Sequence, residues 1–337
     1  MRASMIHENL IFVVCSPRSG STLLQRMLGS HSKVYTHPEP HLLTPLNYLG
    51  YFDTVDKAPY DHINAAQAMR ELCDELPNGE QDYLDACRAY ASTIYERVLA
   101  TTDKSFFLDK TPAYALVLPF VTKVYPQAKY VVLTRHPIAV LHSQAHSFFG
   151  GDFSAAHHTN PIVRPYLDAI GAFMTDQAVP HVRVRYEDLV QEPEPEMRRV
   201  LEHLGLEFEP AVVEYGTQKH ITKSYGDPKS VERHNRPVTN SLATWAKDLL
   251  ARPENLELAR SIVEELDPNY LEAWGYPKAD LFDGIEDHEA TATKLSSFDT
   301  YRLKRKILLG LRKNIHHNAL GAAVKRVRYY CDVLLRT

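Results

Sequence analysis

Short apolar runs alternate with amphipathic stretches along most of this chain. β-type runs recur at Ile11–Cys15, Val34–Thr36, Ser105–Leu108, Tyr130–Thr134 and His181–Tyr186. Each is too short for a helix and rich in β-branched or aromatic residues. Helical patterns lie between them at Ser21–Leu28, Glu80–Ala100, Pro137–Phe148 and Glu194–Leu204. This alternation predicts an α/β fold: a single parallel β-sheet flanked by helices on both faces. Ligands on such sheets bind at the carboxyl ends of strands, beside helix N-termini. The residues that follow each apolar run are therefore where chemistry is expected.

The first run leads into Ser16-Pro17-Arg18-Ser19-Gly20. A helix then opens on Ser21 and Thr22 and carries Leu23, Leu24, Met27 and Leu28 as far as Gly29. Strand, tight loop and helix N-terminus together make an anion cradle, because unpaired N–H groups converge where the helix dipole favours negative charge. The loop departs from the nucleotide-triphosphate pattern G-x-x-x-x-G-K-[ST]. Cys15 stands at the first glycine position and Ser21 at the lysine position, while a positive charge sits at the apex as Arg18. Such a loop suits a phosphate-like group other than the phosphates of ATP with magnesium.

Composition narrows the class. The 337 residues are 44% hydrophobic and 24% charged, ordinary for a soluble globular protein. Cys15, Cys73, Cys87 and Cys331 are scattered without a C-x-x-C pair, so neither zinc nor a disulfide framework is indicated and a reducing compartment fits. The apolar run before Pro17 is too short for a signal peptide or a membrane span, and a cytoplasmic protein is expected. Charge is uneven: residues 301–337 hold ten lysines and arginines against Asp332, about +9, which leaves about −13 on residues 1–300. The expected organisation is a domain over 1–279, an acidic linker over 280–300 and a basic helical tail over 301–337. In the tail Leu320, Val324, Val327, Cys331 and Leu334 share one helix face, with Lys325, Arg326 and Arg328 outside it. That stripe packs on its own domain or a second subunit of a homodimer, or meets a membrane surface or an acidic partner.

Three further segments carry candidate chemistry. Arg135-His136-Pro137 follows the fourth run, and Ser143 lies six residues beyond Pro137 on the expected helix. An arginine fork and a hydroxyl converging there suit a phosphate monoester. Asp109-Lys110-Thr111-Pro112 closes the third run, and Thr36-His37-Pro38-Glu39-Pro40-His41 closes the second. Seventeen histidines invite a metal reading. His157 and His158, being adjacent, are expected to point apart, and no metal is expected. Residues 144–166, with Gly150-Gly151, read as a lid over an acceptor pocket or as a surface connection. Residues 42–80, with Tyr48, Tyr51, Phe52 and Tyr60, read as its other wall.

Pro17–Leu24, Asp109–Pro112, Arg135–Ser143 and Tyr186–Leu189 occur in an order that resembles the PAPS-dependent sulfotransferase family, over about residues 8–250. The family uses 3′-phosphoadenosine 5′-phosphosulfate (PAPS) and has a parallel-sheet domain related to P-loop kinases. The resemblance implies sulfuryl transfer to a hydroxyl or amine of a small-molecule, carbohydrate or carrier-bound acceptor, with no nucleic-acid partner and no metal requirement. It implies that Arg18, Ser19, Gly20, Ser21 and Thr22 hold the phosphosulfate and that Arg135 and Ser143 hold the 3′-phosphate. Tyr186 falls near the adenine or serves as packing. Lys229 and Arg236 are candidates for a late basic loop over the 3′-phosphate, though their spacing departs from the family's Arg-Lys-Gly motif. Lys110 would steady the bridging oxygen. The histidine that serves cytosolic members as base after Lys-Thr is absent here, because Pro112 follows Thr111. Other branches use a glutamate soon after the first helix, which points to Glu39, its backbone stiffened by Pro38 and Pro40; His41 competes as an imidazole that titrates near neutrality. The rival readings are a P-loop small-molecule kinase, which predicts magnesium dependence, and a catalytically silent nucleotide-binding module.

Overall fold

A computed structural model describes residues 5–55, 60–217, 234–239, 242–283 and 285. Five strands, β1 (Leu10–Cys15), β2 (Val34–Pro38), β3 (Phe106–Lys110), β4 (Lys129–Thr134) and β5 (His181–Arg185), form one sheet in the order β2-β3-β1-β4-β5. Every pairing is parallel, with Cys15 opposite Leu133, Pro38 opposite Lys110 and Thr134 opposite Arg185. β2 runs two residues past its expected end because an edge strand tolerates a proline. β5 stops one residue early: Tyr186 opens a helix whose first turn carries Glu187 and Asp188, charges that suit a helix N-terminus.

The helices are α1 (Ser21–Gly29), α2 (Leu43–Asn47), α3 (His62–Asp74), α4 (Glu80–Leu99), α5 (Leu118–Val124), α6 (Pro137–Phe148) and α7 (Phe153–Thr159). They continue with α8 (Val163–Asp176), α9 (Tyr186–Gln191), α10 (Pro193–Leu204), α11 (Thr244–Leu250), α12 (Pro253–Glu264) and α13 (Pro268–Trp274). The central strand shows why both faces are covered. Ile11, Val13 and Cys15 point into one apolar cluster with Leu24 and Met27 of α1 and Val200 and Leu201 of α10. Leu10, Phe12 and Val14 point into the other, against Tyr95 of α4, Phe120 of α5 and Ile170 of α8. All six β1 residues are buried, as a strand sandwiched between helix layers requires.

Three expectations change. Residues 153–159 form α7, with Phe153 and Ala156 in the core, so much of the stretch read as a lid is packed helix. Tyr51 and Phe52 stack on Tyr83, and Phe52 also on Phe120, which makes them core packing. Leu281 and Ile285, inside the stretch read as linker, are buried in the main core. The basic tail and Cys331 lie outside the described residues. No helix among those described is long and apolar enough to cross a membrane.

Candidate active site

All five strands deliver side chains to one cavity of about 720 Å³: Arg18 after β1, Glu39 after β2, Ala113 after β3, Arg135 after β4 and Tyr186 after β5. That is the carboxyl edge of the sheet, where the helix N-termini also gather.

The loop after β1 is shaped by two left-handed residues, Arg18 (φ 67°) and Gly20 (φ 94°). Gly20 is the residue before α1 and provides no side-chain cap. A Cβ there would lie 2.3 Å from the Tyr186 ring, so the position needs glycine for space as well as for backbone conformation. Ser21 and Thr22, in the first turn of α1, line the cavity. Ser19 does not: its buried hydroxyl donates to the Ser16 carbonyl at 2.7 Å, inside the loop. Its expected part in holding a ligand therefore falls to its backbone.

Arg18 and Arg135 both border the cavity and touch through the Arg18 backbone. Arg18 turns toward α6, donating from Nε to Ser143 Oγ at 3.2 Å and from Nη2 to Ser147 Oγ at 2.9 Å. Arg135 Nη1 donates to the Arg18 carbonyl at 3.1 Å, and its guanidinium lies 4.3 Å from the centre of the Tyr186 ring. Tyr186 therefore packs beneath an arginine and against Gly20 while its ring still borders the cavity. Arg135 Nε is buried with no hydrogen-bond partner among the described residues, as is Ser16 Oγ. A buried guanidinium N–H without an acceptor is costly, and Arg135 as a residue borders the cavity.

The Arg135 turn is held from behind. His136 caps α6: its Nδ1 accepts from the Ile138 amide at 3.3 Å, and its Nε2 donates to the Leu281 carbonyl at 2.9 Å. Its ring stacks on Trp245 at 4.1 Å, with Tyr276 edge-on. Glu187 accepts from the His136 amide at 3.2 Å and from the Tyr276 hydroxyl. The tautomer those bonds require is neutral, and burial pushes the imidazole pKa down to about 4 from 6.5. Above pH 6.5 the group is neutral folded or unfolded. Below it the unfolded chain takes up a proton that the fold refuses until about pH 4. Stability should therefore fall across that window, by about 3 kcal/mol in full from this group. Thermal melts of wild type and His136→Asn from pH 7 to 4 would show it; an unchanged slope in the variant removes His136 from the effect.

The other side of the cavity carries the candidate base. Gln25 of α1 donates to Thr36 Oγ1 at 2.8 Å and to the His37 carbonyl at 3.2 Å, fixing the exit of β2. Glu39 (φ 37°) and His41 (φ 54°) then take left-handed backbone, a strained choice that surrounding packing has to enforce. Glu39 Oε1 accepts from Lys110 Nζ at 2.6 Å, and Oε2 lies 3.9 Å from His41 Nε2. Lys110 is 1% exposed and stands behind Glu39 rather than on the cavity surface. Its neighbour Asp109 turns the other way, accepting from Tyr95, Tyr114 and Thr111 at 2.7, 3.1 and 2.7 Å. Burial raises the Asp109 carboxyl above the usual range, which marks it as structural.

Arg236 is not part of the cavity surface. Its exposed side chain pairs with Glu214 at 3.1 Å, and its carbonyl accepts from Tyr215; His234 and Pro237 border the cavity instead. Lys229 lies outside the described residues. His142 was not singled out from the sequence, and His146, Ser147, Phe148 and Tyr166 were covered only by the broad reading of residues 144–166; all five are at the cavity. The i, i+4 repeat His142-Ser143 and His146-Ser147 on α6 was a usable signal; Tyr166, brought in by tertiary packing, had none. His157 and His158 do not point apart: their rings meet edge to face at 4.9 Å.

A model described as the sulfotransferase family matches residues 10–210. The chain belongs to the sulfotransferase family. Among curated proteins, this sulfotransferase is 27% identical over 295 residues to nodulation protein NoeE of Sinorhizobium fredii, covering 80% of this chain and 66% of that one. It is 28% identical over 210 residues to a putative protein-tyrosine sulfotransferase of Caenorhabditis briggsae, covering 60% and 67%. The matches thus span about two thirds of those relatives' lengths. Among solved structures, the sulfotransferase domain of the Synechococcus PCC 7002 olefin synthase superposes with a TM-score of 0.50 at 24% identity, covering 77% of this chain and 95% of that one. The domain from the curacin biosynthetic pathway gives 0.50 at 24%, covering 76% and 98%. These share the fold.

Proposed function

We propose that this sulfotransferase moves a sulfuryl group from PAPS to a hydroxyl or amine of a small-molecule, carbohydrate or carrier-bound acceptor. The gathering of Arg18, Arg135, Ser143, Ser147 and the α1 N-terminus at one cavity carries this reading, because two guanidiniums beside hydroxyls and a helix N-terminus suit an anion. When bound, the co-substrate would supply the sulfuryl group and leave as the 3′,5′-bisphosphate. Ser21, Thr22 and the N-terminal amides of α1 hold and orient the phosphosulfate end. Arg135 and Ser143 form the grip on the 3′-phosphate, and Arg18 serves the phosphosulfate end. The Gly20–Tyr186 contact keeps the aromatic ring close to the loop, as a wall for the purine. Glu39 takes the acceptor's proton at Oε2 while Lys110 steadies Oε1, with His41 alongside. The reaction so described calls on no metal.

The protein is read as cytoplasmic. The basic segment 301–337 is proposed to pack on this domain or a second subunit, or to meet a membrane surface or an acidic partner.

Calorimetric titration of the whole chain tests the cofactor. 3′,5′-Adenosine bisphosphate should bind about 10-fold or more tighter than 5′-AMP, the difference expected for a charge-assisted arginine contact. Preference for ATP with magnesium would replace this reading with a kinase, and binding of neither would leave a silent module.

A further inference from the structure

Two imidazoles and a carboxylate converge at the edge of the cavity and take no part in the chemistry above. His142 and His146 stand four residues apart on α6, hence on one face. Asp248 of α11 is fully buried opposite them. His146 Nε2 is 2.9 Å and His142 Nε2 3.6 Å from the same oxygen, Asp248 Oδ2. One donor atom from each residue lies within 4.8 Å of the other two. Four-coordinate zinc, with Zn–N and Zn–O bonds near 2.1 Å, separates its ligand atoms by about 3.4 Å, and the two separations straddle that value.

The other carboxylate oxygen, Oδ1, faces Arg252 Nη2 at 3.5 Å. The arginine therefore orients the carboxylate from outside and leaves Oδ2 to the imidazoles. His142 Nε2 is buried and has no hydrogen-bond partner among the described residues. Both histidines border the cavity.

We propose that His142, His146 and Asp248 form a site for a borderline divalent transition metal of the zinc class. Two nitrogens and one oxygen favour zinc, cobalt, nickel or copper over magnesium or calcium, which take all-oxygen shells. The site borders the same cavity as the proposed sulfuryl-transfer residues, but metal binding there does not depend on that assignment.

Cobalt is the probe. The full chain, first treated with a chelator, is titrated with Co²⁺ while visible absorption is followed, and zinc is then added in competition. The expected result is one equivalent of tightly bound cobalt with the strong absorption of a four-coordinate ion, displaced by zinc. His142→Ala should weaken binding about 100-fold, and His146→Ala should do the same, while the His157→Ala/His158→Ala double variant keeps the full signal. Circular dichroism and bisphosphate binding check that each variant is folded. Weak, six-coordinate-type absorption in the wild type, or unchanged affinity in folded His142→Ala and His146→Ala proteins, would overturn the site. The trio would then be a hydrogen-bonded tie between α6 and α11.

Discussion

Glu39→Gln should lower kcat by about 10²–10⁴-fold, the range for loss of a general base, while bisphosphate affinity stays within about twofold. The isosteric amide is the informative change. Glutamine keeps an oxygen to accept from Lys110 Nζ, now 2.6 Å from Glu39, but it cannot take a proton from an acceptor. Alanine would leave a lysine that is 1% exposed without its anion, and breaking such a pair costs about 3–5 kcal/mol. A fall in turnover of Glu39→Ala would therefore mix chemistry with stability. Paired measurements of kcat, bisphosphate affinity and thermal midpoint separate them. Full activity in Glu39→Gln together with its loss in His41→Ala would move the base to His41, whose Nε2 is 3.9 Å from the Glu39 carboxylate.

Arg135→Ala should weaken 3′,5′-adenosine bisphosphate binding by about 10–100-fold, the value of a charge-assisted contact with a phosphate. The same variant should bind 5′-AMP nearly as the wild type does, because the lost interaction is with the 3′-group. That ratio tells a specific phosphate grip from general damage to the loop, which matters because Arg135 also donates to the Arg18 carbonyl and lies over Tyr186. Arg135→Lys keeps the charge but not the planar fork, so it should recover only part of the loss. Equal bisphosphate affinity in wild type and Arg135→Ala would remove Arg135 from the ligand.

Much of this architecture was legible before any coordinates, and the reason is periodicity. Apolar runs short enough for strands and helical repeats between them survive as local patterns, so all five strands lie where the runs do. The loop at Arg18–Gly20 was legible because strand, turn and helix start follow one another in consecutive residues. Side-chain direction was not. Nothing local says that Arg18 turns onto Ser143 and Ser147, that Ser19 folds into its own loop, or that Arg236 pairs with Glu214. The trio at Asp248 was hidden for the same reason: the histidine spacing is visible on α6, but its carboxylate lies 102 residues further along. Aromatic residues misled most. Tyr51 and Phe52 fill the core as readily as they would line a pocket, and composition cannot tell the two apart.

His136 and Glu187 reach for partners that come late in the chain, at Trp245, Tyr276 and Leu281. The family pattern itself ends at residue 210. The smallest autonomous unit is therefore longer than the stretch that family resemblance outlines. A chain cut where the pattern stops would keep the anion loop and the whole sheet, yet lose the rear bracing of the arginine turn. Recognition in this protein is shared between an old-looking N-terminal framework and a less recognisable C-terminal clasp. Relatives with divergent ends can then be expected to hold the same cofactor corner with different stiffness.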